Sequence, residues 1–295
     1  MRVAVIGLGT MGLGGALNLA AKGLAVTGCE TRRERWAELE QAGGACVATA
    51  DALPDGIDAA LLFVVNAAQA RAVLDSCLPR LAPDAVVINS VTVAPEDARA
   101  LAAQVAATGR LYLDAPVSGG GVAARAGNMT VMASGAPAAF DRATPVLGAI
   151  AGKVWRLGDA PGVGSTVKMV NQLLAGVHIA TAAEALALGI RAGADPRTLF
   201  EVISSSAGSS WMWQNRVPHI LDGDDTPLSA VNIFVKDLGI VLDQARALTF
   251  PLPLASAAHQ LFLAAAAAGH GGRDDAFVIR VWEALTGIAL PGKDQ

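Results

Sequence analysis

Aromatic side chains make up only 4% of this 295-residue chain, with a single tyrosine, and charged ones only 16%. The formal net charge is -4, and no cluster of lysine and arginine breaks the acidic balance. That excludes the basic field by which a protein holds nucleic acid or an anionic lipid surface, so no nucleic-acid partner is expected. Cysteine is scarce as well. Cys29, Cys46 and Cys77 are widely spaced with no CxxC, and His178, His219, His259 and His270 form no HExxH or HxH. These spacings argue against a disulfide framework and a structural zinc site, and no metal is expected. The N-terminal "MRVAVIGLG" runs straight into a strand pattern with no signal-peptide layout. The long apolar stretch around Leu173–Ile190 carries His178 and Glu184 and is flanked by Lys168 and Arg191. It reads as a buried helix of a globular protein rather than a membrane span. The expectation is a soluble cytoplasmic protein with no membrane partner.

What the chain has in quantity is apolar surface and glycine: 53% hydrophobic residues and 32 glycines, enough for a substantial core. Up to about Gly158, short apolar runs alternate with helical patterns. The runs are "RVAVIGLG", "LAVTGCE", "DAALLFVV", "AVVINS", "RLYLDAPV", "NMTVMASG" and "KVWRLG". Such alternation predicts a mostly parallel sheet covered on both faces by helices. Past the hinge-like "GDAPGVG" the strand signal stops. Helices are expected over Ser165–Ala192, Pro196–Ser206, Ala230–Leu248, Pro253–Ala268 and Ala276–Leu285. The expected organisation is an α/β domain over residues 1–162 and an all-α domain over residues 163–295. The alanine-rich helices of the second domain offer more apolar face than one small domain covers, which predicts a homodimer or homotetramer.

The first run ends in "VIGLGTMG", where Gly7, Gly9 and Gly12 stand in G-x-G-x-x-G spacing between a strand and a helix. Gly7 permits the tight turn, Gly9 lets the backbone approach a pyrophosphate, and Gly12 lets the helix pack on the strand. The helix N-terminus then aims unpaired N–H groups at the phosphates. The loop Gly7-Leu8-Gly9-Thr10-Met11-Gly12 is therefore the expected dinucleotide cradle of a Rossmann-type domain. Glu30, 18 positions after Gly12, ends the second strand where a carboxylate reads the adenosine ribose and disfavours a 2′-phosphate. Arg32 and Arg33 follow at once and would instead clamp that phosphate. The cofactor reading is NAD, with NADP as the alternative.

Two further stretches point to chemistry. In "LDAPVSGGG" a strand ends at Asp114 and Ser118-Gly119-Gly120 follow, a loop whose successive N–H groups suit a small carboxylate. By composition alone a flexible surface turn explains it as well. In "GSTVKMVNQLLAGVHIA", Lys168 stands at the head of an otherwise apolar helix, although an unpaired buried lysine costs several kcal/mol. Oxidising a secondary alcohol needs a proton acceptor at the hydroxyl while hydride leaves carbon for a nicotinamide. A partly buried lysine at a helix N-terminus can have its proton affinity lowered towards that task. Lys168 and Asn171, three positions apart, lie within about 60° on one helix face. His178 is expected to be a satisfied core histidine; Trp211 and Trp213 fit a pocket wall, an interface or plain packing equally.

Taken in order, "GLGTMG", "DAPVSGG", "GVGSTVKMVNQ" and "FVKDLG" give the chain an end-to-end resemblance to the β-hydroxyacid dehydrogenase family. The stretches "VVNAAQ", "NMTVMASG", "SWMWQNR" and "SAVNIFVKDLG" are most similar to its members that act on four-carbon sugar acids. The resemblance implies Lys168 as the catalytic lysine and Asn171 as the group that orients substrate beside it. It implies Ser118, Gly119 and Gly120 as the loop holding the substrate carboxylate, and Val65, Asn66 and Thr92 as cofactor contacts. Lys236 matches a second lysine over cofactor and substrate, with Asp237 beside it. The implied partner is a small hydroxy acid bearing a carboxylate. "CETR" departs from the aspartate more usual at the end of the second strand, which bears on the choice of cofactor.

Overall fold

The structure is a computed structural model and describes residues 1–292. It divides into two compact units, the first Met1–Met169 and the second beginning at Val170. In the first, β1 (Arg2–Ile6), α1 (Thr10–Ala21), β2 (Ala25–Cys29), α2 (Ala37–Gln41) and β3 (Ala45–Val47) come first. Then follow β4 (Ile57–Leu62), α3 (Ala67–Cys77), β5 (Leu81–Asn89), α4 (Pro95–Ala106) and β6 (Leu111–Asp114). These strands form one parallel sheet in the order β3-β2-β1-β4-β5-β6. The order reverses direction between β1 and β4, the switch point where α/β sheets bind ligands beyond their strand ends.

Side chains alternate across the sheet. Val3, Val5, Leu61 and Ile88 pack with α1 on one face, whereas Ala4, Ile6, Leu62 and Val87 pack with residues of α3 and α4 on the other. Both faces are covered, so the strands read as apolar throughout instead of alternating. The late strands expected from sequence are present but form a second sheet. It comprises β7 (Val117–Ser118), β8 (Met129–Ala133) and β9 (Ala151–Arg156), with β7 antiparallel to β8. Helices α5 (Gly120–Arg125) and α6 (Pro137–Ile150) separate them. The charged stretch after β2 is a 3₁₀ turn at Arg33–Arg35 followed by the five residues of α2.

The second unit is helical. It holds most of α7 (Val163–Arg191), then α8 (Pro196–Ser204), α9 (Trp211–Asp222), α10 (Val231–Ala247), α11 (Pro253–Ala265) and α12 (Arg280–Thr286). Helix α9 is not among the expected helices. Its signals are a Ser210 N-cap, which accepts from the Trp213 N–H at 3.0 Å, and Gly223 in the left-handed region at its end. Pro218 inside the helix obscures them. Gly176 lets α7 approach α10 closely: a Cβ there would lie 3.0 Å from Leu238 and Phe234. Phe234 stacks on Phe262 of α11 at 5.2 Å, and Arg216 of α9 pairs with the fully buried Asp275 at 2.6 Å. The expected class, a Rossmann-type α/β domain with an all-α domain, is the observed one.

Candidate active site

The first glycine loop is built by steric necessity. Gly7 has φ +93°, and a Cβ there would lie 2.6 Å from the Phe63 carbonyl oxygen at the end of β4. A Cβ on Gly12 would lie 1.8 Å from the Gly7 oxygen, so helix and loop meet backbone to backbone. Gly9 meets only the Arg35 guanidinium, at 3.6 Å, which leaves its backbone open to approach. Gly9 is also the N-cap of α1 and supplies no side-chain hydrogen bond, so the N–H groups of Thr10, Met11 and Gly12 form an outward-facing helix N-terminus. The arrangement fits the pyrophosphate of a dinucleotide.

Glu30 follows β2 and is 8% exposed. Its carboxylate accepts the Leu8 N–H at 3.2 Å and the Arg32 N–H at 3.1 Å, and the Arg32 side chain pairs with it at 3.1 Å. Burial pushes this carboxyl up, but the Arg32 hydrogen bonds and charge outweigh that and hold it below its ordinary value. The carboxylate is thus ionised and tied to the glycine loop. Arg35 reaches the same loop, donating to the Leu8 oxygen at 3.3 Å. Arg32 is half exposed, so a guanidinium stands beside the Glu30 carboxylate.

At the end of β4, Val65 is exposed, and its N–H donates to Gln69 Oε1 at 2.9 Å. Asn66 is the N-cap of α3, its Oδ1 accepting the Gln69 N–H at 2.9 Å. Thr92 follows β5 and is half-buried. The "VVN" and "NSVT" loops therefore both leave the carboxyl ends of sheet strands, the same edge as the glycine loop.

The second glycine loop abuts the first. Ser118 ends β7 opposite Thr130, and Gly119 (φ +124°) and Gly120 (φ +67°) turn the chain in conformations that favour glycine. A Cβ on Gly121 would lie 2.4 Å from Thr10 Cγ2, and one on Gly14 of α1 would lie 2.7 Å from the Ala124 backbone. Asn18 Nδ2 donates to the Gly14 and Ala124 oxygens, both at 2.8 Å. Helix α1 thus touches both loops: its first turn follows the first glycine loop, and Gly14 and Asn18 further along it pack against Ala124 of α5, which follows the second.

Lys168 is the sixth residue of α7 and is 7% exposed. The start of that helix is fixed by Asp114 at the end of β6, a fully buried carboxylate. Its Oδ2 accepts the N–H groups of Gly162 and Ser165, each at 2.9 Å, and its Oδ1 accepts the Ser165 hydroxyl at 2.7 Å. Ser134 completes the seat, with its Oγ taking the Gly164 N–H at 3.0 Å. An N-cap normally comes from the residue that opens the helix; here a neighbouring strand supplies it. Burial pushes the Asp114 carboxyl up, against the opposing pull of the Ser165 and Gly162 donors. Lys168 lies three residues beyond Ser165, one turn from this anchor.

In the second unit, Asn171 Nδ2 donates to Gln172 Oε1 at 2.9 Å, and Gln172 Nε2 donates to Asp237 Oδ2 at 2.5 Å. Lys236 Nζ lies 2.6 Å from Asp237 Oδ1. Asn171 and Lys236, both expected site residues, are thereby joined through Gln172 and Asp237, which are 7% and 2% exposed. His178 is not the core residue the sequence suggested: it is exposed and borders a groove on the far part of α7. The reason is the stripe it heads, since residues 178, 181, 185 and 188 share one outward face of that helix. Trp213 is buried and packs on Phe200 at 6.3 Å, while Trp211 is 60% exposed.

Sequence reasoning gave Asp114 no role beyond ending a strand and passed over Asn18 and Gln172. Asp114 had a signal, because a carboxylate closing an apolar strand must find several donors. Gln172 had none, since its partner lies 65 residues away.

Comparison with known proteins agrees with this architecture. Residues 2–158 match the family model described as the NAD binding domain of 6-phosphogluconate dehydrogenase. Residues 162–282 match the one described as NAD-binding of NADP-dependent 3-hydroxyisobutyrate dehydrogenase. The chain is 54% identical to an L-threonate dehydrogenase of Cupriavidus necator, covering 99% of this chain and 98% of that protein. It is 49% identical to one from Escherichia coli K12, over 98% and 96% of the two chains. A crystal structure described as 3-hydroxyisobutyrate dehydrogenase from Salmonella typhimurium superposes with a TM-score of 0.91 at 48% identity, covering 95% of this chain and 99% of that one. With its glycine cradle, its carboxylate beside it and relatives along its whole length, the chain belongs to the NAD(P)-dependent β-hydroxyacid dehydrogenase family, oxidoreductases that act on CH–OH groups.

Proposed function

We propose that this chain oxidises L-threonate at C2 with NAD, giving 2-dehydro-L-erythronate, and that Lys168 is the general acid/base. The observation that carries the chemistry is a lysine only 7% exposed, one turn from the Asp114 anchor and on one helix face with Asn171. The substrate follows from relatives at 46–54% identity named L-threonate dehydrogenase. The dinucleotide, held by the Gly7–Gly12 loop and Glu30 with Val65, Asn66, Thr92 and Lys236 as further contacts, supplies the hydride acceptor when bound. Ser118, Gly119 and Gly120 hold the substrate carboxylate by their hydroxyl and N–H groups. Asn171 orients the C2 hydroxyl. Lys168 Nζ, unprotonated, takes the hydroxyl proton as the C2 hydrogen departs with its electron pair; the C2–O bond becomes a carbonyl, and Lys168 returns the proton to water. Glu30 favours NAD, and its pairing with Arg32 leaves NADP usable at a lower rate.

A second reading, oxidation of 3-hydroxyisobutyrate or reduction of tartronate semialdehyde, uses the same residues and is supported by the crystal structure described as 3-hydroxyisobutyrate dehydrogenase. Initial rates of NAD and NADP reduction with L- and D-threonate, D-erythronate, D-glycerate and 3-hydroxyisobutyrate separate the two. Highest kcat/KM for L-threonate with NAD is expected. Preference for 3-hydroxyisobutyrate overturns the substrate and keeps the mechanism; no rate with any acid overturns both.

We read the enzyme as a cytoplasmic homodimer or homotetramer. Supporting the association of copies, a groove of about 500 Å³ runs along α7 in the second unit, lined by Ala182, Ala185, Leu188, Leu199, Ile203 and Trp213. Light scattering of the purified chain tests it, and a monomeric mass at micromolar concentration overturns it.

A further inference from the structure

The hydrogen bonds around Gln172 have a direction, and the direction is set by chemistry. An ionised carboxylate only accepts hydrogen bonds, so Asp237 determines which end of the Gln172 amide faces it. Nε2 donates to Asp237 Oδ2 at 2.5 Å, and the Gln172 oxygen is turned to the opposite side. That oxygen only accepts, so Asn171 must present its Nδ2, as it does at 2.9 Å. One orientation of Asn171 follows: its Oδ1, an acceptor, is left on the side away from Gln172. Lys236 Nζ lies 2.6 Å from the other Asp237 oxygen, so both carboxylate oxygens face a donor. Gln172 is 7% exposed and Asp237 2%, so neither amide end is set by water. Gln172 also lies four residues beyond Lys168, about 40° round the same helix, whereas Asn171 is about 60° away on the other side.

We propose that Gln172 is a positioning residue that passes the polarity of the Asp237 carboxylate to Asn171, fixing the Asn171 amide with its oxygen as an acceptor for Lys168, which shares its helix face. The same carboxylate holds Lys236, so one buried group orients two members of the site. A hydroxyl has one proton, and that proton must point at Lys168 Nζ to be taken. The Asn171 oxygen therefore accepts from the Lys168 N–H groups, which turns the Nζ lone pair to the hydroxyl before transfer and holds the protonated lysine afterwards. This rests on the proposed hydroxy-acid oxidation.

The test is a set of variants in the full-length protein. Gln172→Leu removes both hydrogen bonds at similar volume and should lower kcat on L-threonate by about tenfold to a hundredfold, the scale of a misplacement of about 1 Å. The dissociation constant for NADH should stay within about twofold, because Lys236 keeps its own pairing with Asp237 in this variant. Gln172→Glu places two carboxylates face to face and should lose at least as much. Combining it with Asp237→Asn restores a donor opposite an acceptor while Asn171 still donates, so the double variant should be at least about fivefold faster than Gln172→Glu alone. A merely structural role would make kcat follow thermal stability, and would not give that exchange its rescue. Gln172→Leu within about twofold of the unaltered kcat, or a double variant no faster than Gln172→Glu, overturns the proposal. A protein that turns over no acid at all overturns the oxidation reading instead. In that case the side-chain amide signals of ¹⁵N-labelled Asn171 decide the positioning: a shift change in Gln172→Leu is expected, and unchanged signals refute it.

Discussion

The two units hold their candidate site residues by different means. In the first, backbone geometry does the holding: glycines at positions 7 and 12 allow contacts of carbonyl and Cα that any side chain would block, and a strand-end carboxylate seats the start of α7. In the second, side chains do it: two amides and one carboxylate link Asn171 to Lys236. Backbone contacts cannot adjust to a substitution, because both partners are fixed by their own secondary structure. Side-chain networks can adjust, at a cost in precision. The difference predicts all-or-none failure in the first unit and graded kinetic loss in the second.

The sharpest contrast comes from one substitution made twice. Gly12→Ala forces a Cβ to within 1.8 Å of the Gly7 oxygen and should cost more than about 4 kcal/mol, abolishing dinucleotide binding or the fold. Gly176→Ala meets the ends of Leu238 and Phe234 at 3.0 Å, which can shift, and gains about 1 kcal/mol of helix propensity, so its net effect should stay within about 1 kcal/mol. Urea denaturation of both reads the difference; equal losses would break the comparison.

Asp114→Ala should come next, at about 2–3 kcal/mol, because it strands the buried Gly162 and Ser165 N–H groups. It should also reduce kcat, since the helix start that aims Lys168 loses its anchor. Full stability with lowered kcat would mean that the carboxylate acts on the chemistry and not on the helix.

The smallest effect concerns thiols. Burial pushes Cys29 up to about 11 and Cys77 to about 12, so at neutral pH neither offers thiolate. Cys46 is half-buried, and its thiol is raised too, by burial first and then by Glu40. The native protein should take up a thiol reagent slowly and at Cys46 alone, faster as pH rises. Labelling of Cys29 or Cys77 at a comparable rate would show that the rigid first unit opens.

The same division explains what was legible beforehand. Gly7 and Gly12 could be read directly because only glycine satisfies their contacts, Gly9 came with them through the spacing, and the strand-helix alternation followed from apolar runs of fixed length. Lys168 stood out because a cation in an apolar helix is costly. Helix α9 was hidden by Pro218, and the second sheet by strands of two to six residues that composition cannot assign to a sheet. Asp114 closes an apolar strand and so announces its need for donors but not their identity, and Gln172 acts through a partner 65 residues away that no local pattern announces. His178 was misread because its helix is apolar on an outward face as well as an inward one.

The central claim is that Lys168 moves the proton. Steady-state oxidation of L-threonate by the unaltered protein and by Lys168→Ala, with NADH affinity measured by fluorescence on both, tests it most directly. The account predicts a fall in kcat of about 10²- to 10⁴-fold with NADH affinity unchanged. A variant that retains kcat within about tenfold would contradict it and assign the proton to another group.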